Sequence, residues 1–419
     1  MKPKMFLVVA LCFASQSLAQ DSSNVRTVGL WPFGPCYTAA YTNIGGTDYA
    51  VIGSGEGAMI LNVNTPSAPV KVGEIATPDF VFGVAVSGSY AYVADYGSGL
   101  RIINISNPVS PTEVGFYDTP GYAYGVAVAG NYAYVADETN GLRIINISNP
   151  ASPTEVSFYD TPGYACGVAV SGNYAYVADT DSGLRTINIS NPASPTEVGF
   201  YDTPGSALGV AVSGNYAYVA DYGSGLRIIN ISDPASPFEA GFYDTPGYAK
   251  GVAVSGSYAY VADYGAGLRI INVSNPALPV EAGFYNTPGY AHGVSVFDSY
   301  VYVADGDSGL KIYQGYGPAG VESGPLQPFD PAQGKNAKLR VCGNTIEYLL
   351  PQSGKASLKV YNLLGQEVNT LVRENKTAGN YKINWDGRDA GNRRVSSGVY
   401  LVRLESGGQS ATGKMLVVR

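Results

Sequence analysis

Gly83, Gly125, Gly167, Gly209, Gly251 and Gly293 recur at a spacing of 42 residues, and each opens the same phrase. A fixed period of this length leaves few architectures open, because each repeat is one small unit that must bury its apolar faces against its neighbours. The unit that starts at Gly125 reads GVAVAGNYAYVADETNGLRIINISNPASPTEVSFYDTPGYAC. Four short runs lie in it: one from Gly125, then Tyr132 to Ala136, Leu142 to Ile147 and Glu155 to Tyr159. Each is rich in Val, Ile, Tyr or Phe and is bounded by Gly, Asn, Asp or Pro, which reads as a strand between turns. The prolines fall between runs, where no ladder N–H is lost. Four strands in roughly forty residues, with no helical period, predict a blade of a β-propeller. The rival, a β-solenoid, has shorter coils and lacks hairpin turns between successive strands.

The second run begins at Tyr49, Tyr90, Tyr132, Tyr174, Tyr216, Tyr258 and Tyr300, which gives seven copies. The last copy stops after Lys311-Ile312-Tyr313 and lacks its fourth strand, whereas Arg26 to Trp31 aligns with the fourth strand at Glu113 to Tyr117. The expected fold is therefore all-β: a seven-bladed propeller whose ring is closed by the N-terminal strand. Gly and Pro are abundant, 53 and 26 residues, but they recur at fixed offsets as turn residues rather than as low-complexity sequence.

The phrase Leu-Arg-Ile-Ile-Asn-Ile-Ser-Asn-Pro-Ala-Ser-Pro, repeated with small changes from Leu100 to Leu268, resembles the LVIVD repeat of bacterial and archaeal surface proteins. The Tyr-Val-Ala-Asp strand is similar to that of YVTN-type surface-layer propellers. The resemblance covers about 290 residues and implies a fold more than a chemistry.

The flanks differ in kind. Residues 1–19 read as a secretory signal peptide: Lys2 and Lys4, an apolar run from Met5 to Phe13, and small residues at Ser17 and Ala19. That run is too short to span a bilayer, and no other segment reads as transmembrane. The propeller is expected over 20–316 and a Gly- and Pro-rich linker over 317–326. Residues 327–419 show short strands with turn signals, expected to form a small Ig-like β-sandwich. Their landmarks are Pro328-Phe329-Asp330-Pro331, the runs Asn344–Tyr348, Leu358–Val368, Tyr381–Asp389 and Ser397–Leu404, and a terminal Lys414 to Arg419. This order resembles the type A sorting domain of the type IX secretion system and, more distantly, the Ig-like domain of flagellar hook-capping proteins. Ala332 to Gly343 reads as an insertion ahead of the first strand. The resemblance implies contact with secretion machinery and a cell-surface or extracellular destination.

Charge separates the two parts. Residues 20–319 carry 25 acids against 9 bases, and residues 320–419 carry 8 against 14. A strongly acidic body repels phosphate backbones, so nucleic acid is excluded as a partner. After signal cleavage Cys36, Cys166 and Cys342 remain, scattered and odd in number, and read as space-filling residues rather than a disulfide framework.

Enzyme signatures are thin, and the expectation is a non-enzyme. His292 is the single histidine, and there is no metal-ligand spacing, nucleophile elbow or phosphate loop. Asp95, Asp137, Asp179, Asp221, Asp263 and Asp305 each precede a base by six residues: Arg101, Arg143, Arg185, Arg227, Arg269 and Lys311. The first repeat lacks both members, which reads as structural pairing. Asp179-Thr180-Asp181 and Asp305-Gly306-Asp307 resemble calcium cradles, but neither has a later acidic ligand, so plain turns are the preferred reading and no cofactor is expected. Asn-x-Ser at Asn104, Asn146, Asn188, Asn230 and Asn272 reads as strand ends.

One column varies freely while its neighbours stay constant. It holds the residue before the innermost strand: Tyr37, Phe82, Tyr124, Cys166, Leu208, Lys250 and His292. In a propeller this position lies at the channel mouth, together with Tyr122, Tyr164, Tyr248, Tyr290 and a ring of carboxylates. A ligand-binding ring for a glycan or protein is the leading expectation. Drift of a solvated column, an extracellular polysaccharide-acting enzyme and a purely structural surface-layer component stay open.

Overall fold

The computed structural model describes residues 22–297, 299–315, 338–342, 345–362, 366–391, 393–396, 398–407 and 409–417. The signal-peptide segment 1–19, the linker 317–326 and Pro328 to Pro331 lie outside the described residues. All described regular structure is β-strand.

Seven antiparallel sheets follow one another along the chain, each built on the same four-strand plan. The third sheet shows the pattern: Gly125–Ala129, Tyr132–Ala136, Leu142–Asn146 and Thr154–Tyr159, each paired with the next. A two-residue turn joins the first two strands, with Gly130 at φ 57° and Asn131 completing it, which suits the twist of a hairpin. The third strand ends on Asn146, whose Oδ1 accepts the N–H of Ser148 at 2.9 Å and turns the chain out of the sheet. Asn104, Asn188, Asn230 and Asn272 do the same for their sheets.

The first sheet spans Thr38–Ala76, and the second to sixth begin at Gly83, Gly125, Gly167, Gly209 and Gly251. The seventh holds Gly293–Phe297, Tyr300–Ala304 and Leu310–Gly315, and its fourth strand is Val25–Trp31 from the N-terminus. Val25 pairs with Gly315 and Trp31 with Leu310. Ser22–Ser23 adds a short fifth strand to the sixth sheet, against Phe284 and Tyr285, which the repeat pattern did not foretell.

Burial alternates as a packed stack requires. Tyr134, Ala136, Leu142 and Ile144 of the third sheet form one apolar cluster with Ala175, Val177, Ile187 and Ile189 of the fourth. The same contact recurs between all successive sheets, and Tyr302, Ala304, Leu310 and Ile312 of the seventh pack on Ala50, Ile52, Met59 and Leu61 of the first. Each sheet therefore buries both faces on neighbours, where alone it could bury neither.

The C-terminal domain is a separate sandwich. A three-stranded sheet holds Lys338–Cys342, Thr345–Leu350 and Gly379–Asn384; a four-stranded sheet holds Glu367–Lys376, Gly354–Tyr361, Gly398–Ser406 and Gln409–Val417. Ile346, Tyr348, Leu358, Val402 and Trp385 meet in one core. Ala332 to Gly343 is more than an insertion, since it supplies the strand Lys338–Cys342, which pairs with Thr345–Leu350.

Candidate binding rim

The rim is built from the loops that carry the chain from the outer strand of one sheet to the inner strand of the next. In the third sheet Asp137 is fully buried at the end of the second strand. Its Oδ1 accepts the Thr119 hydroxyl at 2.5 Å and its Oδ2 accepts the Gly121 N–H at 2.9 Å. Asp179, Asp221 and Asp263 hold Thr161 and Gly163, Thr203 and Gly205, and Thr245 and Gly247 in the same way. Each carboxylate thus ties down the crossing loop, and the hydrogen bonds offset part of the cost of burying it.

The expected Asp–base pair is a secondary contact. Arg101, Arg227 and Arg269 approach Asp95, Asp221 and Asp263 only to 3.7–3.8 Å. The guanidiniums lie over Phe116, Phe158, Phe200, Phe242 and Phe284 at 4.3–4.7 Å from the ring centroids. Their closer charged partners include Asp118 for Arg101 at 3.0 Å and Glu155 for Arg143 at 2.9 Å. The Arg is a within-sheet clamp on the outer strand, while the Asp serves the loop.

The residue after each Asp takes a left-handed conformation: Tyr96, Glu138, Thr180, Tyr222, Tyr264 and Gly306, at φ 41–55°. It exchanges backbone hydrogen bonds with the crossing loop of the following sheet, as between Glu138 and Ala165 or Tyr264 and Ala291. Gly306 does so with Cys36, which is fully buried in the place occupied by Val81 in the second repeat and by Ala in the others. These links hold the rim loops of adjacent sheets in one register.

On this frame the seven variable residues come together. A Cβ placed on Gly125 would meet the Cys166 carbonyl, on Gly167 that of Leu208, on Gly209 that of Lys250, on Gly251 that of His292 and on Gly293 that of Tyr37, all within 3 Å. The Tyr37 ring lies 5.4 Å from Phe82, and Phe82 lies 5.1 Å from Tyr124. Tyr37 also meets His292 edge-on at 5.0 Å. The run Tyr37, Phe82, Tyr124, Cys166, Leu208, Lys250, His292 is thus a succession of neighbours that returns to its start. All seven are half-buried.

Outside this run stand tyrosine pairs. Tyr96 stacks on Tyr122, Tyr222 on Tyr248 and Tyr264 on Tyr290, with centroids 4.3–4.4 Å apart and planes within 12°. Tyr122, Tyr248 and Tyr290 are 43, 47 and 53 % exposed, so each pair offers a ring face to solvent. Tyr164 is equally exposed, but Glu138 stands where its stacking partner would be. Tyr96, Tyr222 and Tyr264 were missed by the sequence reading. Their signal was present as a second variable column, just after the Asp, set in a turn whose conformation the sequence does not reveal.

Burial pushes the His292 imidazole down to about 4; nearby Lys250 adds to this and Asp307 opposes it. The ring is therefore neutral near pH 7. Burial also lowers Lys250, and it pushes the Cys166 thiol up to about 12, with Glu138 and Asp179 contributing. Cys166 is accordingly a protonated thiol rather than a nucleophile. Of the calcium candidates, Asp179 and Asp305 are fully buried, and their Oδ2 atoms accept loop N–H groups from Gly163 and Gly289. Asp181 accepts the Ser206 hydroxyl at 2.6 Å, and Asp307 lies near His292. Among the described residues no three His, Cys, Asp or Glu side chains gather as metal ligands.

The LVIVD repeat matches residues 81–119, 120–161, 162–203, 204–245, 246–287 and 288–312, together more than half of the chain. The FlgD Ig-like domain matches residues 344–410. No curated protein matches the sequence. Among solved structures, the β-propeller domain of Myceliophteria thermophila Cps50 (Swd1) is similar at 12 % identity and a TM-score of 0.58, over 69 % of this chain and 99 % of that one. The structure of U3-55K is similar at 11 % identity and a TM-score of 0.57, over 70 % and 98 %. The computationally designed Ika8 protein gives 8 % and 0.51, over 69 % and 98 %. At such identities the likeness concerns the fold alone. With its repeats in successive four-stranded sheets, the chain belongs to the LVIVD repeat family and carries a repeat β-propeller followed by an FlgD Ig-like domain.

Proposed function

We propose that this protein is an exported, non-enzymatic binding or adhesion module. Its propeller is a closed seven-bladed ring that recognises a glycan on the rim of tyrosine pairs and variable residues. The C-terminal domain acts as a type IX sorting domain that delivers it to the cell surface or the medium. The observation that carries the binding reading is the convergence of the variable column from Tyr37 to His292 into a single ring, bordered by Tyr96–Tyr122, Tyr222–Tyr248 and Tyr264–Tyr290. Exposed aromatic faces stack on the apolar faces of sugar rings, whereas the ring of Asp carboxylates expected beside them is buried and spent on the crossing loops. Closure is supported by the pairing of Val25–Trp31 with Leu310–Gly315 and by the packing of the seventh sheet on the first. Export is supported by the basic, apolar and small-residue order of residues 1–19.

The test is a glycan-array screen of the full-length chain, with and without calcium, beside a variant carrying Tyr122→Ala, Tyr248→Ala and Tyr290→Ala. Saturable binding by the wild type, weakened at least roughly tenfold in a variant that melts normally, is the expected result. A blank array would remove the glycan in favour of a protein partner or self-assembly. Unchanged binding by the folded variant would move the site off the rim.

A further inference from the structure

The bases of the propeller are almost all engaged. Each repeat Arg lies within 4 Å of a carboxylate, and Lys71 pairs with Glu74 at 2.8 Å. Lys250 is the exception on the rim. Among the described residues it has no carboxylate within ion-pair distance, and its Nζ sits 4.3 Å from the centroid of the Tyr264 ring. A cation held over an aromatic face keeps its charge while its remaining N–H groups stay available.

Its surroundings are those of a sugar platform. Tyr264 stacks on Tyr290, lies 6.4 Å from Tyr248, and Tyr248 stacks on Tyr222. Four tyrosines from neighbouring crossing and rim loops therefore form one continuous aromatic track, with Lys250 over its middle. His292 meets Tyr264 edge-on at 5.4 Å, and the charges of Lys250 and Asp307 act on it with opposite sign. The other half of the rim has no counterpart: Tyr96 and Tyr122 border Tyr124 and Phe82, with no base among them.

We propose that the arc Tyr222, Tyr248, Lys250, Tyr264, Tyr290 is a subsite for an acidic saccharide, with sugar rings on the tyrosines and the sugar carboxylate on Lys250. This rests on the rim being the binding surface and adds the ligand class. The charge argument decides between neutral and acidic sugars. Lys250 is a half-buried ammonium whose burial is left uncompensated by any carboxylate among the described residues, and an incoming carboxylate would supply the missing partner in a site of reduced dielectric. A neutral glycan would use the tyrosines and leave the cation unpaired.

The experiment titrates the full-length protein with a galacturonate oligosaccharide and with its methyl ester, which keeps the ring and removes the charge. The wild type is expected to bind the acid at least roughly tenfold more tightly than the ester (about 1.4 kcal/mol). Lys250→Gln is expected to abolish that preference, so that acid and ester bind the variant equally. Tyr290→Ala is expected to weaken both ligands alike. Equal wild-type affinity for acid and ester, or a preference that survives Lys250→Gln, overturns the acidic subsite and leaves the aromatic rim standing. A wild type that binds neither overturns the subsite, and if the array is also blank the glycan reading falls with it. Thermal unfolding of each variant separates lost binding from lost fold.

Discussion

Asp137 has no exposed surface, yet it accepts two hydrogen bonds as a carboxylate. Burial pushes it up to about 6, against the lowering effects of Thr119, Gly121 and Arg143, and Asp95 likewise reaches about 6. Asp179, Asp221, Asp263 and Asp305 move in the same direction for the same first cause. The sign follows from linkage. A carboxyl whose folded pKa lies above its unfolded value binds its proton more readily in the folded state, so stability rises as pH falls from about 7 towards 4. His292 works the other way, since its folded value is about 4 and its contribution is lost as pH falls below its unfolded value. Six carboxyls against one imidazole give the first set the larger effect. The melting temperature is expected to be higher at pH 5 than at pH 8. Thr119→Val, which removes the donor to Asp137, should cost about 1–3 kcal/mol at pH 8. The cost should be smaller at pH 5, where a neutral carboxyl needs the donor less. Melting curves of both proteins at the two pH values check this, and a wild type that melts lower at pH 5 would refute the sign.

At the scale of the strand, the outermost element of each repeat carries a bulge. The register shifts between Glu113 and Gly115 in the second sheet, and at the matching place in the others. A Cβ on Gly199 or Gly241 would press on the carbonyl oxygen of Pro234 or Pro276 in the next sheet. The third sheet has Ser157 there instead, and its hydroxyl donates to the Pro192 carbonyl at 2.6 Å. Bulges add local twist, and here the bulge lets the outer strand approach its neighbour's Pro-rich loop. Gly199→Ala is therefore expected to destabilise by about 1–3 kcal/mol through overpacking, and Ser157→Gly by about 1 kcal/mol through the lost hydrogen bond. Denaturant unfolding measures both; a neutral Gly199→Ala would show that the sheets part without cost. The bulge marks the boundary of what the sequence made legible. Period, strand count and the column from Tyr37 to His292 could be read directly, because they depend on hydrophobic alternation and turn residues. The tertiary contacts could not. Asp137 and Arg143 sit six residues apart and invited a pairing, but the partner that holds Asp137 is Thr119, across a crossing loop. The constant Thr-Pro-Gly phrase was visible as a repeat, while its role became legible only when the loop was seen to fold back over the Asp. Tyr264 showed itself as rim aromatic only through the left-handed turn that brings it under Lys250.

For the whole molecule, the decisive element is Val25–Trp31, which completes the seventh sheet at the other end of the propeller's sequence from its partner Leu310–Gly315. Ser22–Ser23 just before it pairs with the sixth sheet, so one N-terminal segment straps two sheets together. Without it Leu310–Gly315 would present an unpaired edge, and Trp31, which meets Phe33 edge-on at 5.0 Å, would leave the boundary with the first sheet. A ring of repeats gains cooperativity from having no end, whereas an opened ring behaves as a linear array whose terminal unit frays first. Removal of residues 1–31 is expected to lower the melting temperature, broaden the transition and promote association through the exposed edge strand. A synthetic peptide spanning residues 22–33, added in excess, should raise the melting temperature again in a concentration-dependent way, because it binds only the folded array. Calorimetry with light scattering reads all of these effects. A truncated protein that stays monomeric and melts like the full chain would mean that the contacts between sheets hold the structure unaided, and that pairing across the ends is not what unites seven repeats into one cooperative body.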